Sequence, residues 1–128
     1  MPPTGVLIAV VDDEESVRKA LGRLIGSAGF DVLMFASGVE FLSAARELSP
    51  QCVVLDVRMP HMDGFELQQA LLRGDRPVPV VVITGDDSPE CRARALRHGA
   101  RAYLRKPVDG AQLLEAIQSA LCPLPTHD

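Results

Sequence analysis

Cysteine is scarce in this chain, and its count is odd. The three cysteines among 128 residues, Cys52, Cys91 and Cys122, show no metal-ligand spacing. That pattern excludes a disulfide framework. We read all three as reduced thiols, with Cys52 and Cys91 filling buried positions. Positive charge is also short. Thirteen Lys and Arg against seventeen Asp and Glu leave a net charge of −4, so the whole chain is no electrostatic match for nucleic acid. No apolar run approaches the roughly 18 residues of a membrane helix. The start, Met1-Pro2-Pro3-Thr4, is too short and polar for a signal peptide. Internal repeats and low-complexity segments are missing too. The expectation is a cytoplasmic protein with no membrane partner and no direct nucleic-acid contact. With 47% apolar and 23% charged residues, the composition is that of one ordinary globular domain. A chain of this size buries roughly two-thirds of its unfolded surface and needs no staples.

What is present is an alternation of apolar strand-like runs with helix-periodic segments. Val6–Val11 leads into Asp12 and Asp13. Ser16–Ala28 then places Val17, Leu21, Leu24, Ile25 and Ala28 on one helical stripe, and Gly29 follows as a C-cap. Asp31–Phe35 is a second strand, and Ser37-Gly38-Val39-Glu40 has capping-box spacing. Cys52–Leu55 leads into Asp56. Gly64–Leu72 reads as a helix, with Gly64 easing entry from the loop. Pro77 and Pro79 mark the exit into Val80–Thr84. Ser88-Pro89 opens a fourth helix that ends at Gly99. Ala102–Arg105 leads into Lys106. Asp109–Leu121 is a last helix with Leu113, Leu114, Ile117 and Leu121 inward. The order is (βα)5. Strands one, three and four are almost wholly Val, Ile and Leu, as expected for strands covered on both faces. Right-handed crossovers then make a doubly wound five-stranded parallel α/β sheet.

The carboxyl ends of parallel strands share one sheet edge, where ligands bind. Asp12, Asp13, Asp56, Thr84 and Lys106 all fall there. Alone, Asp12-Asp13 reads first as a strand-end acidic turn that caps the next helix, and only its coincidence with Asp56, Thr84 and Lys106 favours a site. Three carboxylates in contact repel one another unless a cation is present. Mg²⁺, which takes hard oxygen ligands and keeps waters, fits such a set. A carboxylate beside a divalent cation and an ammonium can attack phosphorus, because both neutralise charge on the equatorial oxygens.

Four segments carry a family resemblance. They are Val10-Val11-Asp12-Asp13-Glu14; Leu55 to Gly64 through Asp56, Met59, Pro60 and Asp63; Ile83-Thr84-Gly85; and Gly99 to Pro107 through Tyr103 and Lys106. In this order they resemble the receiver domain of bacterial two-component response regulators, over about residues 5–121, and the wording is closest to the FixJ-like branch. The resemblance implies a flavodoxin-like fold with strand order 2-1-3-4-5 and a phosphoacceptor switch. Asp56 would accept the phosphoryl group from a sensor histidine kinase or phosphotransfer protein. Asp13, Asp12, Asp56 and the backbone carbonyl of Arg58 would bind Mg²⁺. Lys106 would pair with the phosphoryl group. Thr84 would donate its hydroxyl to it, and Tyr103 would turn inward as Thr84 moves. Arg58 and Asp86 would flank the site. The Lys106-Pro107 peptide would be cis. The only chemistry implied is Mg²⁺-dependent self-phosphorylation and autodephosphorylation. Residues 1–122 would form the receiver and 123–128 a tail or the start of a linker, so the chain is either a stand-alone receiver or part of a longer regulator.

Other readings stay beside these. Tyr103, the single tyrosine, serves half-buried packing as well as a switch. Arg92, Arg94, Arg97, Arg101 and Arg105 form either a solvated face or a partner surface, including a homodimer through the fourth helix, fifth strand and fifth helix. Met59 and Met62 read as loop packing, His61 as solvated and His98 as structural at a helix C-terminus. Glu14 and Glu15 read as serving the start of the first helix rather than a metal. A flavodoxin-like cofactor domain would need a hydroxyl-rich phosphate cradle where Asp12-Asp13-Glu14-Glu15 stand. An aspartyl phosphatase would want a second Asp where Arg58 follows Asp56, and its nucleophile directly after the first strand. The remaining alternative is a receiver-like interaction module that works without phosphorylation.

Overall fold

Five short apolar runs form one parallel sheet, and five helices cover it. The computed structural model describes residues 5–57, 64–73, 78–85 and 88–121. In chain order the elements are β1 Leu7–Val11, α1 Glu15–Ser27, β2 Asp31–Phe35, α2 Gly38–Leu48, β3 Cys52–Asp56, α3 Gly64–Arg73, β4 Val80–Thr84, α4 Pro89–Arg97, β5 Ala102–Arg105 and α5 Gly110–Leu121. The strand order is β2-β1-β3-β4-β5, all parallel. The reversal of winding falls between β1 and β3, where a doubly wound sheet opens a crevice at its carboxyl edge.

The period of two along each strand sorts the core into two layers. Ala9, Val11, Val53, Leu55, Val80 and Val82 meet Phe41, Leu67, Leu71, Cys91 and Ala95 of α2, α3 and α4. Their alternates, Ile8, Val10, Cys52, Val54, Val81 and Ile83, meet Leu21 and Ile25 of α1 and Leu113, Ile117 and Ala120 of α5. Each such Val, Leu or Ile contributes about 1.5–3 kcal/mol of transfer free energy. β3 and β4 are buried throughout, whereas the edge strand β2 is only partly covered. That is why its sequence is less continuously apolar.

Local chemistry sets the element ends. Ser88 caps α4 by accepting from Cys91 N at 3.1 Å, with Pro89 in the first turn. Ser37 Oγ accepts from Glu40 N at 3.2 Å, but Glu40 Oε2 reaches Ala36 N at 3.0 Å rather than Ser37 N. The box is therefore one residue wider than its spacing suggests. Gly29 follows the C-cap of α1 at φ 99°, where a side chain would be strained. Asp109 lies just outside α5 and caps it through Gln112 N at 3.1 Å. On α5, Leu114 is only half-buried, and Ala120 is in the core instead. A small side chain allows the last turn to lie close to the sheet. Leu121 does pack against this layer. Lys106-Pro107 is cis.

Candidate functional site

Strand register builds the site. Val11 pairs with Leu55, so the residues that follow, Asp12 and Asp56, stand side by side at the carboxyl edge. Thr84 ends β4 opposite Arg105. Lys106 N donates to Thr84 O at 2.8 Å, which swings the Lys106 side chain over the crevice. Asp12, Asp56 and Thr84 are buried and Asp13 is exposed.

Lys106 organises the charges. Its Nζ donates to Asp56 Oδ2 at 3.1 Å and to Glu14 Oε1 at 3.1 Å. Asp12 Oδ2 lies 2.9 Å away as an ion-pair partner, yet among the described residues this buried oxygen has no aligned hydrogen-bond donor. Burial by itself would lower the Lys106 pKa. The carboxylates of Asp12, Asp56 and Glu14 outweigh that effect and hold the ammonium above the ordinary lysine value.

The Asp12 carboxylate has a second anchor. Its Oδ1 accepts from Glu14 N at 2.9 Å, while Arg18 Nη1 donates to Asp12 O at 2.8 Å. Side chain and carbonyl are thus both held by the turn that starts α1. Oδ2 stays aimed into the crevice. Asp12, Asp13 and Asp56 each bring a carboxylate oxygen within 4.8 Å of the others. Two buried carboxylates and one exposed carboxylate, with the buried Asp12 Oδ2 engaged only through the Lys106 charge among the described residues, are a donor set for a hard divalent cation with part of its water shell. The residues present fit Mg²⁺.

Most sequence-predicted residues converge here: Asp12, Asp13, Asp56 and Lys106 in one crevice, with Thr84 at the neighbouring strand end. Tyr103 stands one strand over. It pairs in register with Val82, two residues before Thr84, and packs half-buried against the α2–α3–α4 layer. The Arg92 guanidinium lies 5.7 Å from its ring centroid. Arg92, Arg94, Arg97, Arg101 and Arg105 are all exposed. Arg58 and Asp86 lie outside the described residues, as do Met59, His61, Met62, Pro77 and Cys122.

One expectation is corrected. Glu14 occupies the N-cap position of α1, but its side chain makes no cap hydrogen bond. It reaches Lys106 instead. Glu15 does belong to the helix start, where it pairs with Lys19 at 2.8 Å. The available signal was a glutamate at the N-cap, a position where the longer side chain caps poorly compared with Ser, Thr, Asp or Asn. Arg18 was also missed. Its partner is a backbone carbonyl, which carries no sequence identity.

Comparison with known proteins agrees with this geometry. Residues 8–118 match the model of the response regulator receiver domain. The chain is 39% identical over 114 residues to the transcriptional regulatory protein FixJ of Bradyrhizobium diazoefficiens, covering 89% of this chain and 56% of that protein. It is 40% identical over 114 residues to the transcriptional regulatory protein TdiR of Thauera aromatica, covering 89% and 50%. The chain therefore spans about half the length of these relatives. Among solved structures, the chemotaxis protein CheY4 of Vibrio cholerae superposes with a TM-score of 0.85 at 30% identity, over 91% of this chain and 98% of that one.

Proposed function

Because the chain belongs to the receiver domains of two-component response regulators, in their FixJ-like branch, we propose that Asp56 is its phosphoacceptor and that a sensor histidine kinase or phosphotransfer protein is the donor. The observation that carries this reading is the Lys106 ammonium, 3.1 Å from Asp56 Oδ2 in a crevice shared with Asp12 and Asp13.

In the proposed reaction a carboxylate oxygen of Asp56 attacks the phosphorus of a phosphohistidine. A P–O bond forms and the P–N bond breaks. The departing ring nitrogen keeps the electron pair and gains a proton. Lys106 holds the attacking carboxylate and then pairs with the phosphoryl oxygens, where preorganised positive charge has most effect. Asp13, Asp12, Asp56 and the backbone carbonyl of Arg58 would hold Mg²⁺, which when bound neutralises charge on the transferring group. Hydrolysis of the aspartyl phosphate restores the carboxylate, and Arg58 and Asp86, which the family resemblance assigns to the flanks of the site, would limit the approach of water. These self-directed steps are the only chemistry proposed.

The output follows from the sheet. Thr84 donates its hydroxyl to a phosphoryl oxygen, and Tyr103, on the same side of the sheet, takes the space this opens. The α4–β5–α5 surface with its arginines then changes shape for a partner or a second copy. Such a switch needs states only a few kcal/mol apart. Among the described residues no helix is long and apolar enough to cross a membrane, and the proposed setting is the cytoplasm.

Incubation with a small phosphodonor and Mg²⁺ should add one phosphoryl mass, and Asp56→Asn should abolish it. Equal incorporation in that variant would overturn the assignment. No incorporation in the parent would favour the phosphorylation-independent interaction module.

A further inference from the structure

The Lys106 ammonium has two aligned acceptors, and they differ in one respect. Asp56 is buried, whereas the Glu14 side chain is 58% exposed. Asp12, the third carboxylate around Nζ, is fully buried. Separating Lys106 from Asp12 or Asp56 would strand a buried carboxylate, which is costly. Separating it from Glu14 returns an exposed carboxylate to water, at little cost. Glu14 is therefore the partner that can leave.

The local backbone explains why Glu14 reaches the lysine at all. Its N–H is held by Asp12 Oδ1 at 2.9 Å, and its carbonyl accepts the first α1 bond from Arg18 N at 2.9 Å. Main-chain position is thus set by the site itself. The side chain makes no cap bond and extends across the mouth of the crevice. There it takes up a donor on the same nitrogen that bonds Asp56.

We propose that Glu14 is a positioning residue that acts as an exchangeable placeholder. In the unmodified protein it holds the Lys106 donor that a phosphoryl oxygen on Asp56 takes over, and it thereby weakens the site's grip on phosphoryl groups. This rests on Asp56 being the phosphoacceptor. An incoming phosphoryl group brings negative charge next to the Glu14 carboxylate. Competition for the donor and repulsion therefore act in the same direction, and Glu14 must withdraw.

The test uses beryllium fluoride with saturating Mg²⁺ as the phosphoryl mimic, alongside the ¹⁵N-detected Lys106 ammonium signal in the ligand-free protein. Glu14→Ala and Glu14→Gln should tighten binding by about two- to fivefold, the scale of one exposed ion pair. Glu15→Ala removes the same charge one residue away, from a pair with Lys19, and should change neither readout. In a Lys106→Met background the effect of Glu14→Ala should shrink to the charge repulsion that remains once the shared donor is gone. The ammonium signal should move in Glu14→Ala without any ligand. Weaker binding in the Glu14 variants, an equal gain in Glu15→Ala, or an unmoved ammonium signal would each overturn the placeholder. A parent that binds no beryllium fluoride while its ammonium signal does respond to Glu14→Ala would overturn the phosphoacceptor reading, and the placeholder with it.

Discussion

Gln68 Nε2 donates to Ala95 O at 2.8 Å, joining α3 to α4 across 27 residues of sequence through a fully buried side chain. Ala95 O also accepts from Ala100 N at 3.1 Å, in the turn that ends α4. Among the described residues, Gln68 Oε1 is buried with no hydrogen-bond partner. The glutamine therefore fixes α4, which the proposed output uses, at the cost of one orphaned acceptor. Beside it Gln69 Nε2 lies 3.2 Å from His98 Nδ1, so α3 touches the C-cap of α4 as well.

Gln68→Ala should destabilise the fold by about 2–3 kcal/mol, combining a lost hydrogen bond with a cavity. Gln68→Met keeps the volume and removes the orphaned oxygen, so it should cost less. Urea unfolding of both variants checks the order. A methionine variant as unstable as the alanine one would show that the hydrogen bond dominates over packing.

Mg²⁺ should stabilise the protein by relieving repulsion among Asp12, Asp13 and Asp56. At about 100 times its dissociation constant the gain is roughly 2.7 kcal/mol. Asp13→Asn should remove most of the response and, because it takes away one of the repelling charges, leave the ligand-free protein at least as stable as the parent. Thermal melts with Mg²⁺ and with a chelator measure it.

Stability should fall on the alkaline side for two reasons of the same sign. Burial pushes the Cys52 thiol up to about 12, against an ordinary value near 9. Between these two pH values the unfolded chain loses the proton and the folded chain keeps it. Stability therefore drops by about 1.4 kcal/mol per pH unit. Lys106 is also raised. Its contribution is complete below the unfolded lysine value of about 10.4 and is lost above it. Cys52→Val should flatten the limb from about pH 9, and Lys106→Met only from above about 10. Denaturation midpoints from pH 8 to 11 separate the two.

Amide exchange with and without beryllium fluoride should differ in α4 and β5, around Tyr103, as well as near Asp12 and Asp56. The basis is that Thr84 and Tyr103 lie on one side of the sheet, with Tyr103 paired to Val82. Thr84→Ala should abolish the distant change while leaving the change at Asp56. Protection confined to the crevice would remove α4–β5–α5 as the output surface.

The sequence by itself determined where the strands lie and which side chains end them. Val53–Leu55 and Val80–Ile83 are apolar without interruption, which only strands covered on both faces tolerate. Once strands are parallel, Asp12, Asp56, Thr84 and Lys106 must share an edge, because every strand presents its carboxyl end there. Helix caps at Gly29 and Ser88 were legible for the same kind of reason, as their chemistry spans only a few residues. Tertiary structure alone decided the rest. Whether Glu14 would cap α1 or cross to Lys106 depended on how far β5 carries the lysine over the crevice. Gln68 found Ala95 only because α3 and α4 share one face of the sheet. Ala120 enters the core while Leu114 stays half-buried, because the way α5 lies on the sheet sets the depth of each position. Each outcome is a distance between segments remote in sequence, set by packing, and no local periodicity encodes such a distance.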